Sequence, residues 1–186
     1  MERVWSGSRL FAPFLRIGSR RNIMFPDTGS EVPFRIECWA YVDSFGRETL
    51  TLHRSFGLKT TRRFDEYVVR VPSADSLVIY AGTHQHLAVA FDVRLSSRGG
   101  VELRTGRQRL FTPVGALRYP LLLSGEASVV EWYDEDLGRF HIDGRVRNRI
   151  FGGIFGFSGS YESRLERVPD SGIPAGIRPV KEESRW

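Results

Sequence analysis

Between Pro33 and Val168 the chain is cut into about ten short segments of alternating apolar and polar residues, separated by glycine and charged turns. A period of two sends successive side chains to opposite faces of an extended strand, so the pattern predicts an antiparallel sheet with one face turned inward. It describes a wall and leaves the chemistry behind the wall open.

Phe34, Ile36, Cys38, Ala40 and Val42 share one face of the first such segment, and Arg35, Glu37, Trp39 and Tyr41 share the other. Asp43-Ser44-Phe45-Gly46 has turn chemistry, and the chain returns over Glu48–Phe56 with Leu50, Leu52, Arg54 and Phe56 opposite to Thr51, His53 and Ser55. Further strands are predicted over Phe64–Val71, Leu77–Ala81, Leu87–Leu95, Val101–Arg104, Ala127–Tyr133, Arg139–Arg147 and Phe155–Val168. Turns are predicted at Pro72-Ser73, Gly82-Thr83, Arg98-Gly99-Gly100 and Asp134–Gly138, and residues 112–125, with Pro113, Gly115 and Pro120, are less regular.

Ahead of the sheet, residues 7–24 carry Leu10, Phe11, Phe14, Leu15 and Ile17 at near-helical spacing, with Arg9, Arg16, Arg20 and Arg21 on the other side. This predicts one amphipathic helix, interrupted near Pro13, that packs on the sheet as a plug or lid. A basic membrane-surface helix is the alternative, and the shortness of the stripe speaks against it. Eight to ten consecutive strands twist and leave exposed edges, which curling removes. The expected fold is therefore all-β with one N-terminal helix, an antiparallel meander curled into a calycin-like barrel or half-barrel. Residues 1–168 form one domain in this reading. Residues 169–186, with Gly172, Pro174, Gly176 and Pro179, are expected to be a flexible tail.

At 186 residues the chain fits a single domain, and an aromatic share of 12% suits a core or an apolar ligand cavity. The formal charge of +5 is an arginine excess, since Lys59 and Lys181 are the only lysines. No basic cluster is interleaved with aromatics, so no nucleic-acid partner is expected. Cys38 stands alone, which excludes an internal disulfide and suits a reducing cytoplasm. Residues 1–19 never offer the unbroken apolar run of a signal peptide or membrane span. Membrane contact is not expected, and the surface leaves room for a homodimer.

The face assignment singles out inward charges. Arg54 lies with Leu50, Leu52 and Phe56; Glu66 and Arg70 lie with Phe64 and Val68; Glu131 lies with Ala127, Val129 and Tyr133. A charge among apolar walls must find a partner or shift its pKa, which is how functional sites often look. In the functional reading Glu131 is a general acid or base, Arg54 clamps a carbonyl or oxyanion, and Tyr133 donates a hydrogen bond. Glu66, Arg70, Phe56, Phe91, Phe140 and Tyr161 then surround the ligand. The structural alternative is an Arg54–Glu131 ion pair that closes the barrel.

His53 and His141 fall on the opposite faces, beside Arg35, Glu37 and Asp143, as on an ordinary solvated exterior. Cys38 reads as core. His84-Gln85-His86 offers two metal ligands and no third at a readable spacing, so no metal is expected. No phosphate loop, Gly-x-Ser-x-Gly elbow or Cys-x-x-Cys occurs, so no cofactor is expected.

The order of these pieces is familiar: an apolar and arginine-rich opening helix, Val32-Pro33, then Glu48-Thr49-Leu50-Thr51-Leu52-His53-Arg54-Ser55-Phe56. Glu131 before a turn, Gly138-Arg139-Phe140-His141-Ile142-Asp143 and the closing run Gly152 to Glu162 follow. Over nearly all of residues 1–168 the chain resembles the bacterial domain of unknown function 4166 family, often found C-terminal to saccharopine-dehydrogenase-like domains. The resemblance implies a stand-alone, diverged member and brings no settled activity with it.

Two functions fit these readings. One is a cofactor-independent enzyme that holds a flexible apolar small molecule in the barrel and assists its cyclisation or isomerisation, since confinement alone lowers a barrier. The other is a carrier or sensor that binds a lipid-like molecule and leaves it unchanged.

Overall fold

The structure, a computed structural model, describes residues 1–7, 9–71, 76–112, 115–118, 124–169 and 172–186. The turn expected at Pro72-Ser73 and the prolines Pro113 and Pro120 lie outside the described residues.

Strand β1 (Arg3–Ser6) leads through a 3-10 turn (Arg9–Phe11) into helix α1 (Ala12–Ser19), and β2 is the short pair Gly29–Ser30. Pro13 sits in the first turn of α1, where its missing N–H costs nothing, so it starts the helix and does not interrupt it. The meander follows as β3 (Phe34–Val42), β4 (Glu48–Phe56), β5 (Arg62–Val71), β6 (Ser76–Ala81), β7 (Leu87–Leu95) and β8 (Val101–Thr112). It ends with β9 (Gly115–Arg118), β10 (Glu126–Asp134), β11 (Arg139–Asn148) and β12 (Gly152–Tyr161). All belong to one 12-stranded sheet in the order β2-β1-β12-β11-β10-β8-β7-β6-β5-β4-β3, with β9 branching from β8.

The turn chemistry acts as expected between β3 and β4. The Asp43 carboxylate accepts from the backbone N–H of Phe45 and Arg47, and Gly46 supplies the left-handed residue at φ +75°. The resulting register sets Phe34 opposite Phe56, Ile36 opposite Arg54 and Cys38 opposite Leu52, as the alternation requires.

Two differences from the sequence reading have local causes. β8 runs on to Thr112, past the expected end at Arg104, because two residues, Gly106 and Arg107, face the single residue Ala90. This bulge flips the inward positions of β8 from odd to even numbers and so breaks the alternation. β12 begins at Gly152 and ends at Tyr161, short of Val168. Its small residues make room for β1, since a Cβ on Gly156 would lie 2.5 Å from the Trp5 ring.

The sheet does not close. Among the described residues no backbone ladder joins β3 to β12 or β2, and the curled sheet is a half-barrel. Rings bridge its two ends instead: Phe56 lies 5.4 Å from Phe157 and 5.2 Å from Phe25, Phe25 lies 4.9 Å from Phe155, and Phe34 lies 6.1 Å from Tyr161. Val4, Phe11, Leu15, Ile142 and Ile154 complete this inner core.

A second core lies on the outer face, formed by Tyr67, Val69, Val78, Tyr80, Ala88 and Phe111 with Trp186 packed against it. The C-terminal residues cover it. Val180 N–H donates to the Thr83 carbonyl at 2.8 Å, Glu183 N–H to the Gln85 side chain at 2.7 Å, and the Tyr80 hydroxyl to the Arg185 carbonyl at 3.2 Å. Ile177 is buried there, with its carbonyl 3.4 Å from the Thr51 hydroxyl. The tail read as a flexible end thus makes contacts with the sheet. Composition argued only that it cannot bury surface against itself, and here the sheet supplies the surface.

The structure also corrects the reading of His53 as solvated. His53 is buried on this outer face, its Nδ1 3.0 Å from Arg63 Nη2 and its Nε2 4.0 Å from the fully buried Asp65. Burial is the largest influence and holds its pKa below the ordinary 6.5, against the raising effect of Asp65.

Candidate functional site

The inward faces of the strands meet under α1 in an apolar cavity of about 250 Å³. Phe64, Ile79, Val89, Phe91 and Leu110 form its sheet wall, and Phe14, Leu15, Ile17, Ile23 and Met24 form its roof. The roof is incomplete: Phe14 is 46% and Ile17 63% exposed, so the cavity opens to the outside beside the helix.

The polar groups on this wall are mostly engaged. Thr105 Oγ1 accepts from Ala127 N–H at 2.7 Å and donates to the Ala127 carbonyl, while Gln108 Nε2 donates to the Gly125 carbonyl at 2.7 Å. These side chains replace ladder bonds past Arg104, where β8 and β10 no longer pair directly. His86 also lines the cavity, its pKa held below the usual value by burial and then by the Arg21 charge. Among the described residues Glu66 is the only carboxylate in the wall.

Glu66 leads to a polar band on the same inner face. Arg54, 4% exposed, forms an ion pair with Glu66, 8% exposed, and its guanidinium lies 5.4 Å from the Phe64 ring centre. The pairing alternative weighed from the sequence, Arg54 with Glu131, is replaced by this one. Adjacent strands β4 and β5 set Arg54 opposite Phe64 and Leu52 opposite Glu66, one diagonal step apart, whereas Glu131 sits on β10.

Glu131 instead accepts the Tyr161 hydroxyl at 2.5 Å. Burial is the main cause of a strongly raised Tyr161 pKa, and the bond to Glu131 adds to it, so the phenol stays protonated and donating. Both couples belong to one electrostatic neighbourhood, since Arg54 and Glu131 each act on the thiol of Cys38. Cys38 is itself exposed, which corrects its reading as core: the inner face is open to solvent at this end of the half-barrel. Arg54 Nε is buried with no hydrogen-bond partner among the described residues.

The remaining expected site residues are scattered. Phe91 lines the cavity. Phe140 stacks on Tyr161 with centroids 5.6 Å apart, beside the polar band. Tyr133, 51% exposed, leans on Phe140 at the rim. Phe56 is fully buried between Phe25, Phe34 and Phe157, where it fills core and faces no cavity. Arg70 is exposed. His141 stacks on Trp132 at 5.1 Å, with its Nε2 3.8 Å from Asp134.

Sequence reasoning missed Ile79, Val89, Thr105, Gln108 and Leu110. The first two share the inward parity of Leu77 and Phe91, so the signal was present; the last two lie past the bulge, where it was not. Among the described residues no three His, Cys, Asp or Glu side chains come together as a metal set. No helix in the described residues is long and apolar enough to cross a membrane.

A family profile described as a domain of unknown function (DUF4166) matches residues 1–161. The chain belongs to this family. The match spans β1 to the end of β12 and so takes in the cavity, both couples and the helix of this DUF4166 member. A curated relative, the uncharacterized protein YndH of Bacillus subtilis (strain 168), is 24% identical over 163 residues, covering 87% of this chain and 80% of the relative. No solved structure matches.

Proposed function

We propose that the protein binds an apolar small molecule or acyl chain in the cavity under α1 and carries or senses it without changing it. The observation that carries this reading is the cavity itself: its walls are largely apolar, Thr105 and Gln108 are tied to backbone groups, and Glu66 is paired with Arg54. A volume of about 250 Å³ is below the usual range for a small-molecule pocket, which suits one end of a chain whose remainder emerges beside Ile17. The test is titration of the full chain with N-phenylnaphthylamine, a dye that fluoresces in apolar sites. Saturable binding that Val89→Trp abolishes without lowering the melting temperature supports the reading. Binding untouched by Val89→Trp defeats it.

A second reading, cyclisation or isomerisation without a cofactor, draws on Glu66, which reaches the cavity wall with Arg54 behind it. A carboxyl there could move a proton on an apolar substrate, while Glu131 and Tyr161 stand outside the lining. Incubation with apolar polyenes followed by mass spectrometry separates the two. A product that vanishes in Glu66→Gln favours catalysis, and unaltered polyene favours the carrier.

A further inference from the structure

The apolar stripe of α1 and its preceding turn is divided. Phe11 and Leu15 are buried against the sheet, while Leu10 (73%), Phe14 and Ile17 face outward. At helical spacing Arg9, Arg16 and Arg20 fall on one stripe, Leu10, Phe14 and Ile17 on the next, and the buried pair on the third. All three of those arginines are exposed, and residues 7–24 contain four arginines and no acid. Two of the outward apolar residues, Phe14 and Ile17, are also the open edge of the cavity roof.

An apolar ridge at a cavity mouth, flanked by guanidiniums, has a use that a packed lid lacks. We propose that this face docks on an anionic phospholipid membrane, with Leu10, Phe14 and Ile17 entering the acyl boundary, Arg9, Arg16 and Arg20 meeting the headgroup phosphates, and the cavity mouth opening onto the lipid. Charge complementarity selects this partner. A run of cations unbroken by a carboxylate matches a uniformly negative plane, and arginine forks onto phosphate oxygens. The inference rests on the ligand reading above for what passes through the mouth, namely an acyl chain or lipid-like molecule taken from or given to the bilayer. It runs against the expectation that the stripe is too short, because three exposed apolar side chains gathered at one opening act together.

The test is sedimentation of the full chain with vesicles of phosphatidylcholine alone and with about one third phosphatidylglycerol, at low and at physiological salt. Binding is expected only to the anionic vesicles and should weaken as salt rises. Leu10→Asp, and separately Arg16→Glu with Arg20→Glu, should each cut the bound fraction about tenfold while dye binding in the cavity stays unchanged, since none of these residues lines it. Equal binding to both vesicle types, no binding to either, or binding indifferent to both variants overturns the proposal. So does a concentration-dependent dimer that Leu10→Asp dissolves, which would make this face an interface between two copies. Loss of dye binding by the wild-type chain with vesicle binding intact would defeat the carrier reading alone.

Discussion

The two faces of the sheet are held down in different ways. Inside, the curl is closed by rings and leaves a cavity, and the polar groups gather into two couples at one end. Outside, the curl is covered by an irregular segment held through backbone hydrogen bonds to loop carbonyls and side chains. Ring packing on the inner face depends on shape and tolerates no missing volume. Cover on the outer face depends on a strap that can lift locally, because the segment has no ladder of its own.

The largest effect that separates the faces is expected inside. Phe56→Ala removes a fully buried ring at the junction of both sheet ends and should cost about 3–5 kcal/mol in urea unfolding. Arg54→Met should cost about 3 kcal/mol, because it strands the Glu66 carboxylate in an apolar wall. The double variant with Glu66→Met should recover most of that loss, and a double variant no better than the single one would break the pairing argument.

Outside, Ile177→Ala should cost about 2 kcal/mol at most and should speed amide exchange in residues 177–186 ahead of β4 to β6. If Ile177→Ala matches Phe56→Ala, the strap is not a separable layer and the comparison falls.

The smallest effect concerns pH. His53 is held neutral in the fold, with a pKa below 6.5, so below 6.5 the unfolded chain binds more protons. The stability it contributes is present above pH 6.5 and is lost as the pH falls toward the folded value. His53→Gln should make the fall of the melting temperature on acidification shallower. It should not abolish that fall, because His84 and His86 shift in the same direction.

What the sequence revealed of the fold follows from what a period of two encodes. The register of β3 on β4, from Phe34 opposite Phe56 to Val42 opposite Glu48, could be read off residue by residue. The inward set Arg54, Glu66 and Glu131 was legible for the same reason, but parity carries no information about which inward charges meet. That depends on strand neighbours and curl: Arg54 takes Glu66 from β5, and Glu131 takes Tyr161 from β12. Parity is equally silent about what lies over the other face, so His53 looked wet although Arg63 and the buried Asp65 lie beside it. The four-residue strand β1 is too short to show a period, and the bulge at Gly106 hid half of β8 by reversing it.

The seam closed by rings has one further consequence. In a barrel sealed by a continuous hydrogen-bond ladder the girth is set by strand number and stagger, and widening it means breaking backbone bonds. Here the ladders end at β2 on one side and β3 on the other, and ring contacts such as Phe56 on Phe157 and Phe34 on Tyr161 span the gap without a backbone bond between β3 and β12. The seam is therefore an expansion joint: a wider girth there costs ring contacts and no strand ladder.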